Sequence, residues 1–373
     1  MPRMTDAEAL VALNMLPKIG PVRVRRLVEH FGSPASIFQV SADALRKVEG
    51  IGPDTAKMLR NWEEVVDLKA ELARAREMGI SIVTQAEELY PALLREIHDP
   101  PLLLYVRGNL LPRDRMAVGV VGSRRATSYG LTAARKLSFQ LAHAGVTVLS
   151  GLARGIDTAA HEGAVAAKGR TIAVIGSGLG RLYPPENEAL AAKIADGHGA
   201  VVSEFPILTE PDKQTFPQRN RIVSGWSSGI LVVEAPAWSG ALITANNAAD
   251  QGRSVYAVPG PIDRASSLGC NKLIQNGAKL VLDAGDILDD LNLLLPPTAE
   301  ETPETKAAAA AVRHQLTESE QAVWDVMGAK ELHLDEIIGQ SGLPASEVAS
   351  GLMRLEIRRL VKQSPGRRYV RAQ

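Results

Sequence analysis

Ala117-Val118-Gly119-Val120-Val121-Gly122-Ser123-Arg124-Arg125-Ala126-Thr127-Ser128-Tyr129-Gly130 is the stretch whose reading decides the fold. Its apolar opening suits a strand buried on both faces, and the Gly-Ser-Arg turn leads into helical spacing over Thr132–His143. The same pattern recurs outward along the chain. Short apolar runs stand at Val146–Leu149, Thr171–Ile175, Ala200–Ser203, Ile230–Val233, Ser254–Val258 and Ala278–Leu282, with helix-length stretches such as Leu242–Asp250 between most of them. This alternation predicts an α/β, doubly wound parallel sheet. Right-handed crossovers then bring every strand-to-helix loop to one edge, where ligands of such sheets bind. Upstream, Ile80–Thr84 and Leu102–Arg107 read as two further strands.

The loops at that edge share a chemistry. They run Gly122-Ser123-Arg124-Arg125, Ser150-Gly151-Leu152-Ala153-Arg154-Gly155-Ile156-Asp157, Gly176-Ser177-Gly178-Leu179-Gly180-Arg181, Ser203-Glu204-Phe205-Pro206 and Ser239-Gly240-Ala241. Gly, Ser and Arg at helix N-termini offer backbone N–H and guanidinium donors to phosphate oxygens. Gly176-Ser177-Gly178 starts a dinucleotide fingerprint but reaches Arg181 where the third glycine belongs, and the phosphate loop of nucleotide triphosphatases is missing. No cofactor is expected. The run Lys213-Gln214-Thr215-Phe216-Pro217-Gln218-Arg219-Asn220-Arg221 sets a ring among cations, as a single strand requires for stacked bases and paired phosphates. An equal alternative has Phe216 filling the core and Arg219 paired with Glu204 or Glu234.

Other polar residues read as structural. Asp157 and His161 could share a helix face as an acid/base pair, but a cap and a locally packed histidine are expected. Glu204 and Glu234, on what look like adjacent strands, are expected to orient loop arginines rather than act as paired carboxylates. Cys270 lacks a matching His–Asn set and reads as a small buried residue.

Bulk properties bound the rest. The chain has 373 residues, with 42 Lys and Arg balanced by 42 Asp and Glu, so polyanion binding must come from local charge. A single cysteine excludes an internal disulfide and a cysteine-based metal cluster, and fits a reducing compartment. Without a signal-peptide pattern or an apolar run near the ~20 residues that span a bilayer, a cytoplasmic protein with no membrane association is expected.

The flanks differ from the centre. In 1–75, Leu16-Pro17-Lys18-Ile19-Gly20-Pro21 and Val48-Glu49-Gly50-Ile51-Gly52-Pro53 are similar turns in which Pro can open a helix. They resemble tandem helix–hairpin–helix motifs, either a phosphate-binding device or a sterile-alpha-motif-like packing module. Residues 80–292 hold the sheet domain. The Pro/Thr/Glu/Ala stretch 296–314, with alanines from Ala307 to Ala311, reads as a linker. Residues 315–373 follow a winged-helix order: a Thr317/Glu320 capping box, helices at Leu334–Gln340 and Ser346–Leu360, and a basic hairpin turning at Pro365-Gly366. Its basic end, including Arg354, Lys362 and Arg368, suits either duplex DNA or a protein partner.

Taken in order, the loops resemble the DNA-processing protein A (Smf) family. The resemblance rests on Val121-Gly122-Ser123-Arg124, Ser150 to Asp157, Tyr183-Pro184-Pro185-Glu186-Asn187, Phe216-Pro217-Gln218-Arg219-Asn220-Arg221-Ile222, Ser239-Gly240-Ala241-Leu242-Ile243-Thr244-Ala245 and Ala257-Val258-Pro259-Gly260. Gly180 and Ala241 stand where the family commonly has Asp and Ser.

The resemblance implies a Rossmann-like domain flanked by a helical and a winged-helix domain. It further implies a non-enzymatic protein that binds and protects incoming single-stranded DNA during natural transformation and loads RecA recombinase onto it. It assigns DNA contacts to Ser123, Arg124, Lys213 and Phe216, with Gly151, Arg154, Arg170, Arg219 and Asn220 as further candidates. It also implies a homodimer through the region of Leu273, Ile274 and Leu280, and leaves single-stranded-DNA-binding protein open as another partner. Neither catalytic residues nor metal ligands are expected. Two rival readings are a nucleotide hydrolase using Glu204, Glu234 and Asp157, and a transcription regulator led by the winged helix.

Overall fold

The structure, a computed structural model, describes residues 4–294, 317–327, 332–357, 360–364 and 368–371. The chain divides into two compact units, Met1–Leu294 and Leu295–Gln373. The expected linker 296–314 lies outside the described residues.

The first unit is organised by strands β1 (Ile80–Thr84), β2 (Leu103–Gly108), β3 (Ala117–Val121), β4 (Thr147–Ser150), β5 (Thr171–Val174), β6 (Gly199–Ser203), β7 (Gly229–Val232), β8 (Ser254–Ala257) and β9 (Lys279–Leu280). They form one nine-stranded sheet in the order β1-β2-β6-β5-β4-β3-β7-β8-β9. From β6 across to β9 all neighbours are parallel. The parallel sheet is extended at its β6 edge by β2 and then β1, both paired antiparallel. Apolar periodicity reveals a strand but not its direction, so this extension was not legible from the pattern.

β3 shows why these strands read as unbroken apolar runs. Val118 and Val120 pack on one face with Leu137 and Leu141 of the helix Ser128–His143 and Ala159 of the helix Ile156–Ala166. Ala117 and Val121 face the other side, with Ile222, Val223 and Trp226 of the helix Thr215–Trp226 and Ala245 of the helix Gly240–Asp250. Each fully buried valine contributes about 1.5–3 kcal/mol. Gly119 is a contact point for the second layer, because a Cβ there would lie 2.3 Å from Ile230 Cδ1 and 3.3 Å from Val223 Cγ1. That close approach seats the helix carrying Phe216, Arg219 and Asn220 directly on the central strand.

β3 lies between β4 and β7, and the chain runs from β3 out to β6 before returning to β7. Strand order therefore reverses at β3/β7, and a crevice opens beyond their carboxyl ends.

The helical segment packs in the same unit. Pro21 opens the helix Pro21–Phe31 and Pro53 opens Pro53–Arg60, each after a Gly N-cap. Arg23 donates to the Lys18 carbonyl at 2.5 Å and Arg26 pairs with Glu49 at 3.3 Å, so both guanidiniums bind within the module. Asn14 Nδ2 donates to the Glu204 carbonyl at 2.8 Å, and the Ile207 N–H donates to Glu71 at 2.7 Å, tying the helices to the sheet.

In the second unit, helices Glu318–Val326, Leu334–Ser341 and Ala345–Ile357 enclose Val323, Ile337, Val348, Leu352 and Leu355. A three-stranded antiparallel sheet completes it, with β10 (Leu332–His333), β11 (Val361–Ser364) and β12 (Arg368–Arg371) in the order β10-β12-β11. This is the winged-helix arrangement; the turn at Pro365-Gly366 lies outside the described residues. Among the described residues no helix is long and apolar enough to cross a membrane.

Candidate nucleic-acid interface

A cleft of about 420 Å³ occupies the crevice at β3/β7. Ser123 and Arg124 enter it from the loop after β3, and Gly151 and Asp157 from the loop after β4. Lys213, Phe216, Arg219 and Asn220 come from the segment around the helix Thr215–Trp226, and Ser239 and Thr244 from the start of Gly240–Asp250. The helix Gly240–Asp250 turns its N-terminal end to the cleft, adding the positive pole of its dipole.

Donors and rings meet at the mouth. The Arg124 guanidinium stands 5.2 Å from the centroid of the Phe216 ring. Tyr183 lies 5.9 Å from Phe216 at an interplanar angle of 52°, and the Arg154 guanidinium lies 5.9 Å from the Tyr183 ring. A smaller recess joins Arg124, Gly151, Arg154, Tyr183 and Phe216. Two aromatic faces and two guanidiniums thus alternate along one rim. Sequence reasoning gives Tyr183 no site role, because only the fold brings the loop after β5 beside Phe216.

Beneath the mouth, the cleft floor is tied together by buried hydrogen bonds. Arg219 is 4% exposed. Its guanidinium donates to the carbonyl of Gly151 at 2.6 Å and to that of Val174. A Cβ at Gly151 would lie 2.4 Å from Arg219 Nη1, so only glycine leaves room for the guanidinium. Asp157 accepts from the N–H groups of Gly151 at 3.0 Å and Ala153 at 3.3 Å. Burial pushes the Arg219 guanidinium down to about 10, against the pull of Asp157, so it stays charged at neutral pH. Burial pushes the Asp157 carboxyl up, opposed by Arg219 and the two N–H groups. Arg219 therefore contributes a fixed positive charge under the cleft rather than a free gripping arm.

The fold thus gathers Ser123, Arg124, Gly151, Lys213, Phe216, Arg219 and Asn220 around one cleft, with Arg154 on its rim, ion-paired to Glu186. Arg170 is the exception. It precedes β5, so it sits at the amino edge of the parallel sheet, opposite the loops. There it is 8% exposed and binds both oxygens of Asp114 at 2.6 Å and the Asn109 carbonyl at 2.8 Å. Arg170 is a buried ion-pair residue, and its assignment to the DNA pocket is corrected.

Glu204 orients a loop arginine, as expected, whereas Glu234 holds Thr127, and the strands before them are not adjacent. β6 and β7, which end at Glu204 and Glu234, are separated by β5, β4 and β3. Glu204 pairs with Arg221, and Glu234 accepts from the Thr127 N–H at 3.0 Å and from its hydroxyl. They form no carboxylate dyad, and neither pairs with Arg219. Asp157 does not cap its helix but braces the loop before it. His161 packs locally, as expected, with Nδ1 2.7 Å from Thr171 Oγ1, and Cys270 is buried. Among the described residues no cluster of three or more His, Cys, Asp or Glu could hold a metal ion.

A family model for DNA recombination-mediator protein A matches residues 81–292, which carry the whole cleft. The chain belongs to this DNA processing protein A family. A DprA winged-helix model matches residues 303–367, and a SAM-like helix–hairpin–helix tandem matches residues 10–61, so all three parts of the expected architecture are present. Protein Smf of Synechocystis sp. is 34% identical over 97% of this chain and 98% of its own length. DNA processing protein DprA of Bacillus subtilis is 44% identical over 59% of this chain and 74% of its own. Among solved structures, DNA processing protein A of Streptococcus pneumoniae is similar at a TM-score of 0.65 and 34% identity, covering 77% of this chain and 98% of that one. The Helicobacter pylori DNA processing protein A, whose structure is described for its single-stranded DNA binding mode, is similar at a TM-score of 0.51 and 26% identity. That match covers 58% of this chain and 98% of the other.

Proposed function

We propose that this chain binds single-stranded DNA in the β3/β7 cleft without reading its sequence, and serves DNA processing in transformation by protecting the strand and loading RecA recombinase onto it. The observation that carries this reading is the convergence of Arg124, Lys213 and Phe216 at one mouth over the buried charge of Arg219. Cations neutralise phosphates while rings accept any base, because every base has a π-face. Ser123 and Asn220 offer hydrogen bonds beside them. The described single-strand binding of the H. pylori relative supports the same assignment. The rival hydrolase reading lacks its acids, since Glu204 and Glu234 lie on separated strands and are each engaged.

Homodimerisation belongs to the same reading. β9 ends the sheet with Leu280 at 41% exposure, and Leu273 and Ile274 lie half-buried on the neighbouring helix Leu268–Gln275. The exposed Leu280 beside half-buried Leu273 and Ile274 gives this end of the sheet apolar surface that suits a second copy.

The deciding experiment titrates labelled oligo(dT) against the full chain, Arg124→Ala and Lys213→Ala, with thermal melting to confirm folding. Both variants should lose affinity for every sequence alike. Unchanged affinity in two folded variants would overturn the reading. RecA loading is tested separately by adding RecA to strand covered with single-stranded-DNA-binding protein, where filament formation should depend on this chain.

A further inference from the structure

The loop 234–239 joins two clefts. Its first residue, Glu234, contributes its side chain to a second cleft of about 690 Å³ formed with Thr127, Ser128, Tyr129, Pro259 and Arg264. Its last, Ser239, lines the first cleft. The partition between them is thin: the Ser123 N–H, at the first cleft, donates to the Glu234 carbonyl at 2.7 Å. On this loop Trp238 is 82% exposed. Trp226 of the same unit is 1% exposed and holds the Asp114 carbonyl through its indole N–H at 3.1 Å, as tryptophan ordinarily does. The exposed indole stands out against that norm.

Its surroundings continue the chemistry of the first cleft. Tyr129 is 53% exposed in the second cleft, its hydroxyl donating to the Pro259 carbonyl at 3.0 Å. Ile262, beside that cleft on the facing loop, is 88% exposed. Arg264, which lines the second cleft, is exposed, and its side chain has no partner among the described residues. The Glu234 carboxylate accepts from Thr127, which leaves the second cleft without a free carboxylate on that wall. Asp263 offsets Arg264 on the facing loop, so the attraction here rests on rings more than on net charge.

We propose that Trp238 is a second base-stacking platform, over which the same single strand leaves the first cleft and continues toward Tyr129 in the second. This rests on the single-strand reading of the first cleft and adds to it a direction and a residue. The occupant is the next few nucleotides of the bound strand: Trp238 directly precedes Ser239, which lines the cation-lined cleft, and an exposed indole suits a base of any identity.

The test uses the full chain with a short oligo(dT) that fills only the first cleft and a long one that reaches past it. Trp238→Ala should weaken the long strand about five- to a hundred-fold and leave the short one unchanged. Its salt slope should match wild type, since stacking releases no counterions. Trp238→Phe should keep most of the affinity while losing most of the DNA-induced quenching of tryptophan fluorescence. Wild-type affinity for the long strand in Trp238→Ala, with quenching intact in Trp238→Phe, overturns the platform. Arg124→Ala distinguishes the failures: it weakens both strands if the first cleft holds DNA, and neither if that reading is wrong. A changed oligomeric state in Trp238→Ala, seen by sedimentation with DNA affinity unaltered, would assign the surface to a second copy and also overturn the proposal.

Discussion

The Arg124 guanidinium covers the Phe216 ring, with 5.2 Å between its central carbon and the ring centroid. A cation at this distance from an aromatic face gains about 0.5–2 kcal/mol, and a base stacking on the same face must share or displace it. On the proposed single-strand reading the pair is a preformed stacking site: a base would take the ring, and the displaced guanidinium would meet the phosphate. Neither residue performs both tasks alone.

Phe216→Ala should cost about 1–3 kcal/mol in single-strand affinity, with little effect on the salt slope. Fluorescence anisotropy with labelled oligo(dT) measures it. A variant that binds as tightly as wild type means no base rests on this ring.

Arg124→Lys keeps the charge but loses the planar stacking surface. Its affinity should fall between those of wild type and Arg124→Ala. The slope of log affinity against log salt should stay at the wild-type value in the lysine variant and drop by about 0.7 in the alanine variant. Equal slopes in all three proteins would detach Arg124 from any phosphate.

Arg170→Ala tests the placement of Arg170 in a buried ion pair away from the cleft. Asp114 would be left buried with its bidentate partner gone, a loss of about 3–5 kcal/mol in folding stability. Denaturant unfolding should show the loss. Wherever the variant remains folded, DNA affinity and salt slope should match wild type; a reduced slope would return Arg170 to the interface.

His161 makes the fold acid-sensitive. Thr171 donates its one hydroxyl hydrogen to the Val148 carbonyl at 2.7 Å, so Thr171 Oγ1 accepts from His161 Nδ1–H. Nε2 is buried without a partner among the described residues, and burial pushes the His161 pKa down from 6.5 to about 3. The folded state keeps the ring neutral while the unfolded chain protonates it. The contribution to stability is full above about pH 6.5 and is lost at about 1.4 kcal/mol per unit as pH falls from there toward 3. Urea midpoints across that range should decline in wild type and flatten in His161→Gln. Parallel profiles would mean that the ring titrates normally.

Much of this protein was determined by local sequence. The apolar runs from Ala117 to Val233 read as strands buried on both faces, as β3 to β7 are, and the glycine-rich turns after them read as one edge of the sheet. The residue types at those turns predict an edge that attracts an anion, and Lys213 to Arg221 set an aromatic ring among cations. Tertiary structure decided which of these residues work together. Arg170 and Arg219 are both arginines bordering sheet loops, yet strand polarity sends the first to the amino edge and burial binds the second to carbonyls. Glu204 and Glu234 look like neighbours on adjacent strands until strand order sets β5, β4 and β3 between them. Tyr183 reaches Phe216 only because the loop after β5 converges with the helix Thr215–Trp226, and the exposure of Trp238 is likewise visible only in the fold. Periodicity reports how each segment meets its own core. Strand order and direction come from how crossovers pack in three dimensions, and no single segment contains that information.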